Sequence, residues 1–179
     1  MSWLQLFHDE HTALYFILPK FEGNLKDIEH GEAGENVIWE LREFAEIIKD
    51  VLIPHFREEE KNVYPRAVQA GEAGKAFITA MYEEHNLLYE AFEGFLRSLG
   101  QVTGLGMLPT AKDHVARMIS LSKNIEKKET PKNLDKLTLP PPLEVDRESV
   151  LKHGYAIANL LAEHIGKEEN VLPKFLKND

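Results

Sequence analysis

Two copies of one short motif, each on an apolar helix stripe, are the feature that most constrains how this chain can fold. His55 and Glu59 lie four residues apart, and His164 and Glu168 repeat that spacing near the C-terminus. Residues four apart on a helix point the same way, one turn above the other. Apolar residues continue both stripes at steps of three and four, the spacing of a buried helix face. Because a buried imidazole or carboxylate is costly unless it is paired or binds a metal, these pairs indicate a function inside a helical core.

Charge and cysteine content exclude several classes of function. The chain has 179 residues, a formal net charge of −9 and no cysteine. The acidic charge argues against nucleic acid and against an anionic membrane as partners. No apolar run approaches the roughly 18 residues of a membrane-spanning helix, and the N-terminus lacks the features of a signal peptide, so we expect a cytoplasmic protein. Without cysteine, any metal must bind to histidine and carboxylate.

Helical periodicity predicts four long helices and no strand. We expect the helices at residues 2–22, 35–69, 73–99 and 146–175. Between the last two, glycines, a short helix and the run Pro140-Pro141-Pro142 interrupt the pattern. The sequence therefore predicts an all-α, up-down-up-down four-helix bundle, as one domain over residues 1–179 with a helical and proline-rich insertion at 100–143. We expect this insertion to pack across the third and fourth helices or to form a homodimer contact.

Four histidines fall at similar heights in such a bundle. At about 1.5 Å per residue, His11, His55, His85 and His164 lie within about two turns of one level. The interval from His11 to His55 is 44 residues and that from His85 to His164 is 79, and the difference of 35 is about the length of the insertion. His8 is the alternative to His11, which we favour because it lies nearer the centre of the stripe and fits the first interval.

Two helix hairpins that each supply two imidazoles and one carboxylate suit a dinuclear metal site. Each metal would take two nitrogens, and the two carboxylates would bridge. Imidazole with carboxylate favours iron, manganese or zinc over calcium or magnesium, and di-iron sites are built in bundle cores on this plan. The predicted metal ligands are His11, His55, Glu59, His85, His164 and Glu168.

Three further side chains, Tyr89, Glu58 and His8, are predicted either to hydrogen-bond the ligands from outside or to bind the metal weakly. Tyr89 lies one turn beyond His85 on the same face, where a phenol can hydrogen-bond a bound ligand or ligate ferric iron. Glu58 could reach an open metal position, although it is most simply a residue of a solvated helix face. The same solvated position is predicted for Glu60 and Glu169.

The remaining histidines receive structural interpretations. We expect His153 to be a satisfied core residue because it is a lone histidine on an apolar stripe. His30 and His114 lie off the stripes and are expected to be exposed.

These residues resemble the hemerythrin-like (HHE cation-binding) di-iron proteins. The motifs that carry the resemblance are His8-Asp9-Glu10-His11, His55-Phe56-Arg57-Glu58-Glu59-Glu60 before Tyr64-Pro65, Glu84-His85, and His164-Ile165-Gly166-Lys167-Glu168-Glu169 before Leu172-Pro173. The resemblance is closest to the branch with four histidines and two bridging glutamates, which includes iron–sulfur cluster repair proteins that respond to nitric oxide and oxidative stress. Oxygen-carrying hemerythrins place a second histidine where this chain has Tyr89, so we do not expect reversible oxygen carriage.

The resemblance implies two iron ions per chain, oxo- or hydroxo-bridged, with manganese or zinc as substitutes. It also implies a protein that binds or reacts with a small ligand (dioxygen, nitric oxide or peroxide) in sensing, detoxification or iron-centre maintenance. Two alternatives stay open: an oxidoreductase that turns over peroxide or nitric oxide, and an iron-handling or interaction module in which the metal is structural.

Overall fold

Four long helices form the part of the chain that the structure, a computed structural model, describes, namely residues 3–99 and 146–176. Helix α1 spans Trp3–His30, α2 residues 35–68, α3 Glu72–Ser98 and α4 Arg147–Asn170, and a 3₁₀ turn follows at Leu172–Lys174. No strand occurs in these two ranges, and the predicted all-α helical bundle is confirmed. None of the helices in them combines the length and the apolar character that crossing a bilayer requires. The predicted insertion at 100–143, with His114, lies outside the described residues.

Helix α1 is longer than the sequence predicts, because it continues through Pro19 to His30 rather than ending near residue 22. A proline inside a helix costs about 3 kcal/mol, whereas each large apolar side chain that becomes buried contributes about 1.5–3 kcal/mol. Three such side chains beyond Pro19 are buried: Phe21, Leu25 and Ile28. The helix ends at Gly31, which has φ +76°, and the Glu32 N–H donates to the Asp27 carbonyl over 2.8 Å, as in a Schellman motif.

Helix α2 is continuous but changes its winding twice. Its successive segments are α-helical Glu35–Ile47, π-helical Ile48–Leu52, α-helical Ile53–Glu58, π-helical Glu59–Val63 and α-helical Tyr64–Val68. The first π segment lies just before Pro54, whose ring has no N–H and would clash with the carbonyl four residues back in a regular α-helix. Each π turn holds one residue more than an α turn, and such turns are frequent at functional sites.

Neighbouring helices run antiparallel, and each of the four packs against two others. The contacts that show this pair Lys20 with Glu40, Glu60 with Tyr82, Glu84 with Lys167, and Ile28 with Arg147. In chain order these contacts join α1 to α2, α2 to α3, α3 to α4, and α4 back to α1. The four helices therefore close around one interior.

The interior contains two apolar clusters with a polar layer between them. The larger cluster contains side chains of all four helices, including Leu14, Phe44, Phe92 and Ile157. The smaller one consists of Val63, Tyr64, Ala67, Ile78, Met81, Leu172 and Leu176. On α2, α3 and α4, the buried histidines and glutamates fall between residues of the two clusters. The polar layer is thus shielded by apolar packing on both sides.

Candidate metal centre

The polar layer brings together all six residues that the sequence predicts as ligands. Their donor atoms form two groups, each with every atom within 4.8 Å of the others, and all six side chains are buried. The first half of the centre consists of His11, His55, Glu59 and Glu168, and the second half of His85, His164 and the same two glutamates. Each half therefore combines two imidazoles with two shared carboxylates.

Glu59 reaches both halves, with a different oxygen in each. Its Oε1 lies 3.1 Å from His55 Nε2 in the first half, and its Oε2 lies 3.5 Å from His85 Nε2 in the second. The contact to His55 follows from the four-residue spacing on α2, whereas the contact to His85 depends on how α2 packs against α3. A carboxylate with one oxygen in each half has the arrangement of a bridging ligand.

Glu168 occupies the corresponding position on α4. Its Oε1 lies 3.3 Å from His164 Nε2 in the second half, and its Oε2 lies 3.2 Å from His11 Nε2 in the first. The two glutamates thus face each other across the centre, and each joins one histidine of its own helix to one histidine of a neighbouring helix.

Several buried carboxylate oxygens of this layer have no hydrogen-bond donor, and they show whether a cation would fit there. Both oxygens of Glu59 and Oε2 of Glu168 are buried and accept no hydrogen bond of acceptable geometry, although imidazole nitrogens lie close to them. A buried carboxylate left in that state is strongly unfavourable. Donor atoms bound to one cation at about 2.0–2.2 Å lie roughly 3 to 4 Å apart, and the histidine–glutamate pairs of the two halves lie 3.1–4.0 Å apart. The layer therefore has the donor set and the spacing of a metal cation site.

Each of the four imidazoles is held from behind by a further carboxylate. The four hydrogen bonds are His55 Nδ1 to Glu10 at 2.6 Å, His85 Nδ1 to Glu60 at 2.7 Å, His164 Nδ1 to Glu84 at 3.1 Å, and His11 Nδ1 to Glu169 at 2.7 Å. We call these four residues the outer glutamates. Each outer glutamate lies on the helix that precedes its histidine in the bundle. The hydrogen bonds therefore join α1 to α2, α2 to α3, α3 to α4, and α4 to α1.

The outer glutamates decide which ring nitrogen faces the centre. A carboxylate accepts a hydrogen bond from Nδ1–H, so Nδ1 carries a proton and Nε2 points inward. Carboxylate–histidine–metal arrangements of this kind orient the ring and raise its basicity as a ligand. On the surface side, Glu84 is also paired with Lys167, which partly offsets the negative charge around the second half.

Burial and the carboxylates act in opposite directions on the histidine pKa values. Burial alone would lower the pKa of His11, but hydrogen bonds to Glu168 and Glu169 raise it to about 9. Burial would likewise lower the pKa of His164, but attraction to Glu168 and hydrogen bonds to Glu168 and Glu84 raise it to about 10. The pKa of His55 is raised well above its usual value by Glu59 and Glu10.

The pKa of the bridging carboxylate Glu168 is shifted in the opposite direction. Burial would raise the pKa of Glu168, but the charge of His164 and a hydrogen bond from His11 hold it well below its usual value. In the absence of a cation, the layer is therefore held together by imidazolium–carboxylate attraction.

The sequence interpretation of Glu60 and Glu169 as residues of solvated faces is wrong. Both are only partly exposed, and each accepts a hydrogen bond from a histidine of a neighbouring helix. The roles of Glu10 and Glu84 were missed as well. A signal was present, because every outer glutamate is the direct sequence neighbour of a predicted ligand. Successive residues of a helix point about 100° apart. When one of them faces the centre, the next one therefore faces an adjoining helix.

The three predicted weaker ligands lie outside the cluster of donor atoms. Tyr89 donates its O–H to Glu60 Oε1 over 3.2 Å, so it supports an outer glutamate. Glu58 accepts a hydrogen bond from Asn62 on the exposed side of α2. His8 is 60% exposed, and its Nδ1 lies 3.0 Å from Glu169 Oε2. His8 and His11 therefore share one outer glutamate, with His11 inside and His8 outside.

Two aromatic residues that received no role from the sequence line the centre. Phe56 stacks on the His85 ring with centroids 4.1 Å apart. Tyr64 is fully buried and donates its O–H to Glu168 Oε1 over 2.8 Å, and its oxygen lies 3.0 Å from His85 Nε2. Burial and the nearby Glu168 and Glu59 raise the pKa of Tyr64 far above its usual value.

His153 and His30 lie away from the centre. The His153 ring is half-buried and packs on the backbone of Gly94 so closely that a Cβ there would clash with it. His30 is exposed at the end of α1.

Comparison with known protein families bears on the N-terminal part of the centre. The family model described as "Hemerythrin HHE cation binding domain" matches residues 3–129, which include α1, α2 and α3. The match ends before α4, so the placement of His164 and Glu168 rests on the structure. No curated protein and no solved structure matches the chain.

Proposed function

Because the chain belongs to the hemerythrin HHE cation-binding domain family, we propose that its polar layer holds two iron ions and that the loaded centre binds or reacts with a small ligand. Dioxygen, nitric oxide and peroxide are the ligands of this class. The observation that carries the proposal is the position of Glu59 and Glu168, each with one oxygen in each half of the centre. Two histidines and two shared carboxylates per half give nitrogen and oxygen donors, a set that suits iron, with manganese or zinc as substitutes.

The protein's own residues supply binding, orientation and exclusion of water. His11 and His55 would hold one ion and His85 and His164 the other, while the outer glutamates keep each Nδ1 protonated and each Nε2 directed inward. When bound, iron supplies redox chemistry and a Lewis-acidic position for a small ligand. The apolar clusters on both sides of the layer keep bulk water away.

Size selection follows from burial. The six candidate ligands are almost completely buried, so a large substrate could reach them only by displacing core side chains. A diatomic molecule or peroxide is therefore the class of ligand that fits. Glu169 is the partly exposed edge of the first half, since it joins the buried His11 to the exposed His8.

Metal content per chain is the test of this proposal. Protein expressed with ample iron and purified without a metal-binding tag should contain close to two iron ions, and His164→Ala should lose about half or more of that iron. His153→Ala is the matched control, because His153 lies on the same helix but packs on Gly94 rather than in the centre. Wild-type protein without bound metal, or equal metal in wild type and His164→Ala, would refute the proposal.

Mixing the iron-loaded protein with nitric oxide or hydrogen peroxide tests the second part. A stoichiometric spectral change supports binding or sensing, whereas consumption of many equivalents per chain shows an oxidoreductase. No spectral change with nitric oxide, peroxide or dioxygen would mean that the metal is structural.

A further inference from the structure

The two motif copies are not identical in length, and the difference falls beside the metal centre. Pro65 lies six residues after Glu59, whereas Pro173 lies five residues after Glu168. The extra residue of the first copy lies in the π segment Glu59–Val63 of α2, because a π turn holds one residue more than an α turn. The second copy has no π segment, and α4 ends at Asn170 before the 3₁₀ turn.

The residue before each proline differs in chemistry. In the first copy it is Tyr64 and in the second it is Leu172. Both belong to the smaller apolar cluster, but only the tyrosine has a polar atom to direct at the centre. Its O–H donates to Glu168 Oε1 over 2.8 Å, and the same oxygen lies 3.0 Å from His85 Nε2.

Both of these contacts belong to the second half. Glu168 Oε1 is the oxygen that lies 3.3 Å from His164 Nε2, and His85 is the other histidine of that half. The first half has no corresponding phenol among the described residues. The Tyr64 hydroxyl thus breaks the two-fold symmetry of the four histidines and two glutamates, because it contacts Glu168 Oε1 and His85 Nε2 in the second half.

We propose that Tyr64 is a positioning residue that makes the two halves of the centre unequal, so that the half with His85 and His164 binds its cation more tightly. This inference rests on the proposed function, since it requires that both halves bind metal. The hydrogen bond from Tyr64 fixes the rotation of the Glu168 carboxylate, and a carboxylate held in place before binding loses less conformational freedom when the cation arrives. Outer-shell partners of metal ligands commonly contribute 10–100-fold to metal affinity.

The test is an anaerobic titration of metal-free protein with Fe²⁺ in the presence of a competing chelator. Wild-type protein should bind two ions in two steps, and Tyr64→Phe should weaken the tighter step by about 10-fold or more while leaving the weaker step within about 2-fold. Tyr64→Phe keeps the aromatic ring that packs in the smaller cluster, so the variant should fold normally. Near-ultraviolet circular dichroism verifies the fold.

Tyr82→Phe is the matched control. The Tyr82 ring lies edge-on to that of Tyr64 at 5.2 Å, but its O–H donates to the backbone oxygen of Glu60 and not to a candidate ligand. Both steps of this variant should equal those of the wild type. His55→Ala and His85→Ala assign the steps, since the tighter one should survive in the first variant and disappear in the second.

The outcomes separate this inference from the proposed function. If wild-type protein binds no iron, the proposed function itself fails. If wild type binds two ions with equal affinity, if Tyr64→Phe leaves the tighter step unchanged, or if that step survives in His85→Ala, the positioning role is overturned. A strong visible absorption band of the ferric protein that disappears in Tyr64→Phe would also overturn it, because Tyr64 would then be a ligand.

Discussion

Glu10 is the most buried of the outer glutamates, and its hydrogen bond to His55 at 2.6 Å is the shortest of the four. The other three are partly exposed, so water can replace part of their interaction with histidine. At Glu10 no solvent is available to replace it. Glu10 is therefore the outer glutamate whose replacement should perturb its histidine most.

We expect Glu10→Gln to lower the iron affinity of the first half by about 10-fold, since outer-shell substitutions typically cost 10–100-fold in metal affinity. Glutamine has nearly the same shape and keeps an acceptor oxygen, but it removes the charge that raises the basicity of His55. Chelator competition measures the change. Glu58→Gln is the control, because Glu58 is bonded to Asn62 on the surface and should retain wild-type affinity. Equal affinity of both variants would contradict the prediction.

At the scale of the element, α2 shows how a change of winding positions a site. Its second π segment separates Glu59 in the polar layer from Tyr64 in the smaller cluster. If the same residues wound as a regular α-helix, every side chain after the segment would be rotated by about 100° around the helix. Tyr64 and Ala67, which are fully buried, would then lose their places.

Deletion of Asn62 should therefore remove the π turn without displacing the core. Asn62 is exposed, so the deletion removes no buried group, and with one residue fewer the segment can wind as an α-helix that leaves Tyr64 and Ala67 facing the core. We expect the melting temperature of this variant to lie within roughly 3 °C of that of the wild type. Deletion of the exposed Asn86 is the control, because α3 has no π turn, and this deletion should cost about 3 kcal/mol from displaced core side chains and lower the melting temperature by roughly 10 °C. Thermal unfolding of both metal-free deletion variants checks this, and equal losses would show that the π turn does not accommodate the extra residue.

At the scale of the whole molecule, the polar layer divides the interior into two apolar clusters. Without a cation, imidazolium–carboxylate attraction across the layer links the four helices, and the same pairs close the ring from α4 back to α1. The stability of the metal-free protein should then depend on the protonation of the layer, because its histidine and glutamate pKa values differ from those of the unfolded chain.

The direction of this pH dependence follows from the shifts. The pKa values of His11 and His164 are raised from 6.5 to about 9 and about 10. The stability that these two histidines add to the folded state is therefore complete below about pH 6.5, and it is lost as the pH rises through 9 and 10. The lowered pKa of Glu168 acts at the acidic end, where stability is lost as the pH falls below 4.5. The metal-free protein should therefore be most stable between about pH 4.5 and pH 6.5.

Melting temperatures of the metal-free protein from pH 6 to pH 10 test this directly, and we expect a continuous decrease. His164→Gln should show a shallower decrease, because one of the raised groups is absent. A melting temperature that stays constant over this range in the wild type would contradict the prediction.

Helical periodicity is a local property, and it is why the fold class could be predicted from the chain alone. The stripe through Ile78, Met81, His85, Leu88 and Phe92 on α3 is buried as its spacing predicts. On α4 the spacing predicts a buried stripe through Val150, His153, Ile157, Leu160, His164, Glu168 and Val171. The structure places His153 and Leu160 at the edge of the buried face and Gly154 and Leu161 in its centre. Spacing of three and four identifies a face within one or two positions, and the packing of neighbouring helices decides which residue lies at its centre.

The same limit explains which parts of the candidate centre the sequence revealed. A histidine and a glutamate four residues apart on one apolar stripe must lie together, so the pairs His55–Glu59 and His164–Glu168 follow from local geometry, and the structure brings His11 and His85 to them. The end of α1 could not be predicted in this way, because it depends on the burial of side chains beyond Pro19 against the other helices. Judged from local sequence alone, Pro19 predicts that the helix ends near it.

Contacts between helices were decided by the tertiary structure alone. Which glutamate meets which histidine depends on the relative height and rotation of two helices, and a shift of one residue would place a different side chain against each histidine. The hydrogen bond from Tyr64 to Glu168 likewise joins residues 104 positions apart and requires the π turn of α2. The chain by itself determined four amphipathic helices and the side chains that face inward, because both depend on a 3.6-residue period. The pairing of those side chains depends on how the helices pack, which no local period encodes.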